Sequence, residues 1–277
     1  MNVAEKMKGE SLVEQFTVNF KDLDFATFKK TLDTYGVIVA RGAFPVRELK
    51  KIRDIIYQQI FPRMKLGRDF REDLAKFESF PKELKMKTLA FLLEGVTDLL
   101  EADRDNILRN VVEKSGIMPL VEKYVGKGQI NSLTKYYYSR TVDPLEEGYK
   151  LGFHQDGIFL RALGEPDRFM ICWIPLVVID EYTPGLELVA KPFNAFLDTD
   201  RSQYHSVAMA DPEKFYEHYK DYMVQPKVRM GDFILFNPFI PHRTYLTPEM
   251  TDVRTSIDFR FYCGDPADLE KPRTGNY

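Results

Sequence analysis

The chain has 277 residues, 44% hydrophobic and 29% charged, which is material for one sizeable core or two small ones. Its 39 Lys and Arg against 42 Asp and Glu leave a net charge of −3, so no basic field marks it for nucleic acid or an anionic membrane. Two cysteines, Cys172 and Cys263, match no zinc or redox spacing and exclude a disulfide framework, and no apolar run approaches the ~20 residues that span a bilayer. The first ten residues, MNVAEKMKGE, lack the apolar stretch of a signal peptide, so the expected setting is cytoplasmic.

In chain order, Val37-Ile38-Val39-Ala40 after Gly36 reads as a short buried strand. Val46, Leu49, Ile52, Ile55, Ile56 and Ile60 recur at helical spacing until Phe61-Pro62 closes the run. A second helix is expected from about Pro81, with Leu89, Leu92, Leu93, Val96, Leu99 and Leu100 on one stripe. These aliphatic stripes are core faces and carry no chemistry. Helical patterning fades after Val125, where Gly126 and Gly128 interrupt it. Segments 131–139, 168–176, 184–190, 231–236 and 254–262 are rich in β-branched and aromatic residues and read as strands. One polar helix over 211–222 interrupts them. Helices first and strands later imply an α+β chain, with a jelly-roll sheet pair buttressed by helices.

Four histidines occur, at 154, 205, 218 and 242. His154 stands two residues before Asp156 in GFHQDGIF, and on an extended segment positions i and i+2 point the same way. A His and a carboxylate so placed are two parts of a 2-His-1-carboxylate triad, which leaves three octahedral positions of Fe(II) open. His242, in FNPFIPHRT, is the best third ligand, 242 − 154 = 88 residues on. His205 and His218 lie in polar surroundings and read as solvated. In the final strand, Arg254, Ser256, Asp258 and Arg260 alternate with Thr255, Ile257, Phe259 and Phe261. An ordinary half-exposed strand shows the same alternation. In a barrel closed around a metal, the polar face points inward instead. Arg254 is then a buried cation needing an anion, and its planar fork suits a carboxylate.

The motifs resemble those of the Fe(II)- and 2-oxoglutarate-dependent oxygenases, in particular the phytanoyl-CoA dioxygenase-like branch. The resemblance rests on His154-Gln155-Asp156-Gly157, Trp173-Ile174-Pro175-Leu176, Thr183-Pro184-Gly185-Leu186-Glu187-Leu188, Gly231-Asp232-Phe233, Pro241-His242-Arg243-Thr244 and Arg254-Thr255-Ser256. It spans roughly residues 35–262 and implies a double-stranded β-helix (jelly roll, cupin-like) within one domain over 1–277. Its helical portion would cover about 1–125 and its barrel about 130–265. It further implies that His154, Asp156 and His242 bind iron. Arg254 would pair with the distal carboxylate of 2-oxoglutarate, with Thr244 and Ser256 adding hydroxyl contacts and Trp173 lying near the co-substrate. The turn TPGLEL departs from the family's usual one. A further co-substrate contact is expected from the strand before the HxD motif, where Lys135, Tyr136, Tyr137 and Tyr138 are available. The implied reaction consumes O2 and hydroxylates an unactivated C–H bond of a small molecule, with desaturation or cyclisation as variants. An intact Asp156 argues against the halogenating relatives, which carry a small residue there. Two other classes compete: a metal-binding cupin-like protein without catalysis, and a zinc hydrolase with Glu187 as base. Arg161, just after the HxD loop, is a candidate contact for an anionic substrate, though an exposed arginine serves equally.

Overall fold

Alternation along the strands sets the architecture. The computed structural model describes residues 3–60, 96–98, 107–132, 138–142, 144, 152–161, 164–198 and 209–269. Among them are seven helices: α1 (Val3–Gln15), α2 (Phe25–Tyr35), α3 (Val46–Ile60), α4 (Ile107–Ser115), α5 (Ile117–Val125), α6 (Gly157–Leu160) and α7 (Pro212–Tyr219). None is long and apolar enough to cross a membrane. The strands are β1 (Thr17–Asn19), β2 (Val37–Arg41), β3 (Val96–Asp98), β4 (Ile130–Ser132), β5 (Tyr138–Val142), β6 (Phe169–Pro175), β7 (Gly185–Val189), β8 (Met223–Val224), β9 (Phe233–Phe236), β10 (His242–Tyr245) and β11 (Arg254–Cys263).

A large sheet runs β1-β2-β9-β6-β11-β5-β3, with β4 also paired to β11, and a small sheet runs β10-β7-β8. An isolated antiparallel bridge adds His154 beside His242 at the edge of the small sheet. From β5 onward the chain crosses repeatedly between sheets, with β5, β6, β9 and β11 in the large one and His154, the consecutive β7 and β8, and β10 in the small one.

Each strand of the large sheet splits its side chains by parity. Ile38 and Ala40, Met170, Cys172 and Ile174, Phe233 and Leu235, and Ile257, Phe259 and Phe261 join a core with Phe28 and Leu32 of α2, Leu49, Ile52 and Ile56 of α3 and residues of α4 and α5. The opposite parity, Val37 and Val39, Phe169, Ile171 and Trp173, and Ile234 and Phe236, meets Leu186 and Leu188 of the small sheet in a second core. Helices thus cover one face of the large sheet and the small sheet covers the other. Gly36 makes the first turn into this frame at φ +70°, where a Cβ would lie 2.4 Å from Ile240 Cδ1.

The expected strands over 168–176, 184–190, 231–236 and 254–262 are present within two residues at each end. The ends of the strand expected over 131–139 fall in β4 and β5, and residues 133–137 between them lie outside the described residues. Residues 211–222 form α7 and a following 3-10 turn. The helix expected from Pro81 is corrected at Val96, which pairs with Arg140 as part of β3; its other stripe residues lie outside the described residues. An aliphatic residue on a three-residue edge strand carries no periodicity that separates it from a helix.

Candidate metal centre

His154 and His242 are partners in backbone pairing before they are partners in chemistry. The N–H of His154 donates to the His242 carbonyl at 3.0 Å and the reverse bond is also 3.0 Å. This closes 88 residues of chain into one antiparallel pair and sets the rings 4.3 Å apart. Each ring is oriented by the carbonyl two residues before it. His154 Nδ1 lies 2.9 Å from the Gly152 carbonyl and His242 Nδ1 lies 3.0 Å from the Ile240 carbonyl. A carbonyl only accepts, so both Nδ1 atoms carry the proton and both Nε2 lone pairs are left for a metal.

Asp156 completes the set by a different geometry from the alternating one. It has φ −57° and ψ −28° and leads directly into α6, whose Phe159 and Leu160 N–H groups return to its carbonyl. Its Oδ1 stands 3.4 Å from His154 Nε2 and 3.6 Å from His242 Nε2. All three side chains are buried, and their ligand atoms lie within 4.8 Å of one another. Two imidazole nitrogens and one carboxylate oxygen so gathered fit iron. Burial would raise the Asp156 carboxyl, but the Arg260 guanidinium and the two histidines outweigh it and hold the group well below the usual carboxylate range. Burial and the neighbouring His154 push His242 down to about 3, so its imidazole is neutral at any physiological pH.

Two residues between and after the ligands explain why the segment holds. Gln155 points away from the ligands and donates Nε2 to the carbonyls of Ala195 at 3.1 Å and Phe239 at 2.5 Å, while its Oε1 accepts from Leu197 N at 2.8 Å. Gly157 donates to the Pro238 carbonyl, and a Cβ there would stand 3.0 Å from that oxygen and 2.9 Å from Phe196. A larger residue at 157 would press on the Pro238 carbonyl and displace the Phe196 ring.

The polar parity of β11 faces this centre. Arg254, Asp258 and Arg260 line the same narrow cleft as the triad, with Trp173, Thr244, Leu186 and Phe236. Arg254 is 1% exposed, donates Nη1 to the Gly185 carbonyl at 3.1 Å and lies 5.8 Å from the Trp173 ring centroid. Burial lowers its pKa to about 10. Its Nε, the Ser256 hydroxyl and Trp173 Nε1 are buried without a hydrogen-bond partner. Three polar atoms left this way around one cation fit a bound anion.

Arg140, on β5, was not singled out by the sequence. It stands opposite Ser256, lines the cleft and pairs its Nε with Asp258 Oδ2 at 2.9 Å. Tyr138 lies opposite Asp258 in the backbone pairing, and Lys135, Tyr136 and Tyr137 lie outside the described residues. His218 is exposed on α7 and His205 lies outside the described residues. Arg161 does not line the cleft; its guanidinium sits 5.9 Å from the Phe196 ring centroid. Glu187 is absent from the cleft as well, held by Arg243 at 2.5 Å and by Gln225. A hydrolase reading loses the base it needs.

No family model and no curated protein matches the chain. Solved structures of non-haem iron enzymes share its fold. The epimerase SnoN, in complex with Fe3+, alpha ketoglutarate and nogalamycin RO, superposes with a TM-score of 0.57 at 14% identity, over 91% of this chain and 92% of its own. EctD from S. alaskensis, with 2-oxoglutarate and 5-hydroxyectoine, gives 0.56 at 14% identity over 88% and 80%. The alpha ketoglutarate dependent carbocyclase SnoK from nogalamycin biosynthesis gives 0.51 at 12% identity over 90% and 87%.

Proposed function

We propose that the chain is an Fe(II)- and 2-oxoglutarate-dependent oxygenase that hydroxylates a C–H bond of a small molecule. One observation carries the reading: a buried arginine with unsatisfied polar neighbours faces the same cleft as a His-Asp-His donor set. Two sheets that bring segments 88 residues apart side by side support a jelly-roll reading of the fold. A cupin-like protein without catalysis has no need to bury Arg254 beside the metal site, where its desolvation is costly.

In this reading His154, Asp156 and His242 hold iron and leave three positions open. Arg254 binds the distal carboxylate of 2-oxoglutarate in its fork, and Ser256 and Thr244 add hydroxyl contacts. Arg140 takes the place of the expected contact from the strand before the motif, oriented by Asp258. When bound, iron and 2-oxoglutarate supply the oxidising power for C–H cleavage, O2 being reduced as the keto acid is converted to succinate and carbon dioxide. The protein's own part is to orient these groups and keep water from the cleft with Trp173, Leu186 and Phe236. Whether this chain stands in the phytanoyl-CoA dioxygenase-like branch rests on the motifs quoted above. A second outcome, cyclisation or another rearrangement, is favoured by the fold neighbours that are a carbocyclase and an epimerase.

The test is succinate formation from 2-oxoglutarate under air. The reading expects turnover that requires Fe(II) and disappears in His154→Ala and Asp156→Ala. Succinate formed equally by these variants would refute it. With a substrate found, mass gain of one oxygen supports hydroxylation, and loss of two hydrogens supports desaturation or cyclisation.

A further inference from the structure

Asp156 turns only one of its oxygens to the metal site. Oδ1 faces the two histidines, while Oδ2 accepts the Nη2–H of Arg260 at 2.7 Å. The side chains are 8% and 11% exposed, so water barely competes for this charge-assisted bond. The two partners come from different parts of the barrel. Arg260 projects from β11, opposite Ile171 of β6 in the middle of the large sheet, and Asp156 sits at the entry to α6. Arg260 lies six positions after Arg254 on the same face, so one rigid strand sets both cations.

A carboxylate beside a six-coordinate cation can bind through one oxygen or chelate through two. Chelation here would require Oδ2 to swing toward the histidines, away from Arg260. That swing exchanges a buried charge-assisted bond for a strained four-membered chelate. The geometry points to Arg260 as a positioning residue that restricts Asp156 to a single metal bond and so keeps three of six positions open for co-substrate and O2. This rests on the iron reading above. Arg260 acts through Asp156 and is not itself a ligand.

The experiment uses the full chain, Mn(II) as the probe and water-proton relaxation to count water on the metal. Wild type is expected to hold three exchangeable waters on Mn(II), falling to one with 2-oxoglutarate. Arg260→Met and Arg260→Leu carry no donor for Oδ2 and are expected to hold two, falling to none. Arg260→Lys, which keeps a cation, is expected to recover part of the wild-type count. Iron-dependent turnover of the Met and Leu variants should drop by roughly 10–100-fold, the usual size for groups that orient a ligand. If Arg260→Met fails to fold, Arg260→Leu decides by the same count. Three waters in a folded Arg260→Met or Arg260→Leu variant would overturn the positioning role and leave the metal site standing. Mn(II) binding as tight in His154→Ala as in wild type would overturn the metal site itself.

Discussion

Replacing Arg254 with methionine separates what the residue costs from what it binds. Among the described residues the buried guanidinium has one hydrogen bond, to the Gly185 carbonyl, and its Nε has none. Asp258, the carboxylate that acts on it electrostatically, is already engaged by Arg140, so removing Arg254 does not leave Asp258 without a partner. Swapping a buried ionic group for an apolar side chain of similar volume typically stabilises by about 1–4 kcal/mol, and the lost bond to Gly185 returns about 1 kcal/mol of that. A chain of this size shifts by roughly 2–4 °C per kcal/mol, so the metal-free Arg254→Met protein should melt a few degrees higher than wild type. Ligand response should move the other way. At about 100 times its dissociation constant, 2-oxoglutarate stabilises by about 2.7 kcal/mol, or roughly 5–10 °C. That shift should be present in Mn(II)-loaded wild type, reduced in Arg254→Lys and nearly absent in Arg254→Met. Differential scanning calorimetry reads both numbers. An Arg254→Met protein less stable without ligand, or equally stabilised by 2-oxoglutarate, would refute the assignment of Arg254 as the carboxylate clamp.

Three further outcomes follow from the same geometry. His242 is held neutral down to about pH 3 in the fold but takes a proton near 6.5 when unfolded, so the unfolded chain binds the extra proton between those values. Metal-free stability should therefore be full above pH 6.5 and fall as pH drops toward 3, and urea titrations of His242→Gln should lack that part of the slope. Gln155→Ala removes three buried hydrogen bonds and should cost roughly 2–4 kcal/mol, read as a lower urea midpoint, with weaker metal binding because the segment carrying both first ligands is loosened. His218→Ala, on the exposed face of α7, should leave metal binding and succinate formation at wild-type levels in the same assays.

The convergence of His154, Asp156 and His242 was legible because the residues are rare and stand at constrained places. Only four histidines exist, one lies two residues from an aspartate, and the strand RTSIDFRF announces its two faces by strict alternation. The faces were right for a physical reason: Ile257, Phe259 and Phe261 have helices to cover them, so the charged parity must point inward. What escaped were relations across strands. Nothing local marks Arg140 as facing the cleft, because the register of β5 on β11 is set by pairing over 118 residues. Nothing local marks Gln155 either, whose amide ties the motif to two distant loops. The Val96 strand was hidden by leucines that suit a helix equally well. Asp156 was placed on an extended segment, whereas it begins a helical turn; two conformations bring residues i and i+2 near one metal, and sequence alone does not choose.

The most direct measurement is visible absorption of the protein under anaerobic conditions with Fe(II) and then 2-oxoglutarate. Chelation of the keto acid to iron held by His154, Asp156 and His242 predicts a weak charge-transfer band that needs both additions. The band should vanish in His154→Ala and require far more 2-oxoglutarate in Arg254→Lys. A wild-type protein that binds Fe(II) but develops no band at saturating 2-oxoglutarate would contradict the account.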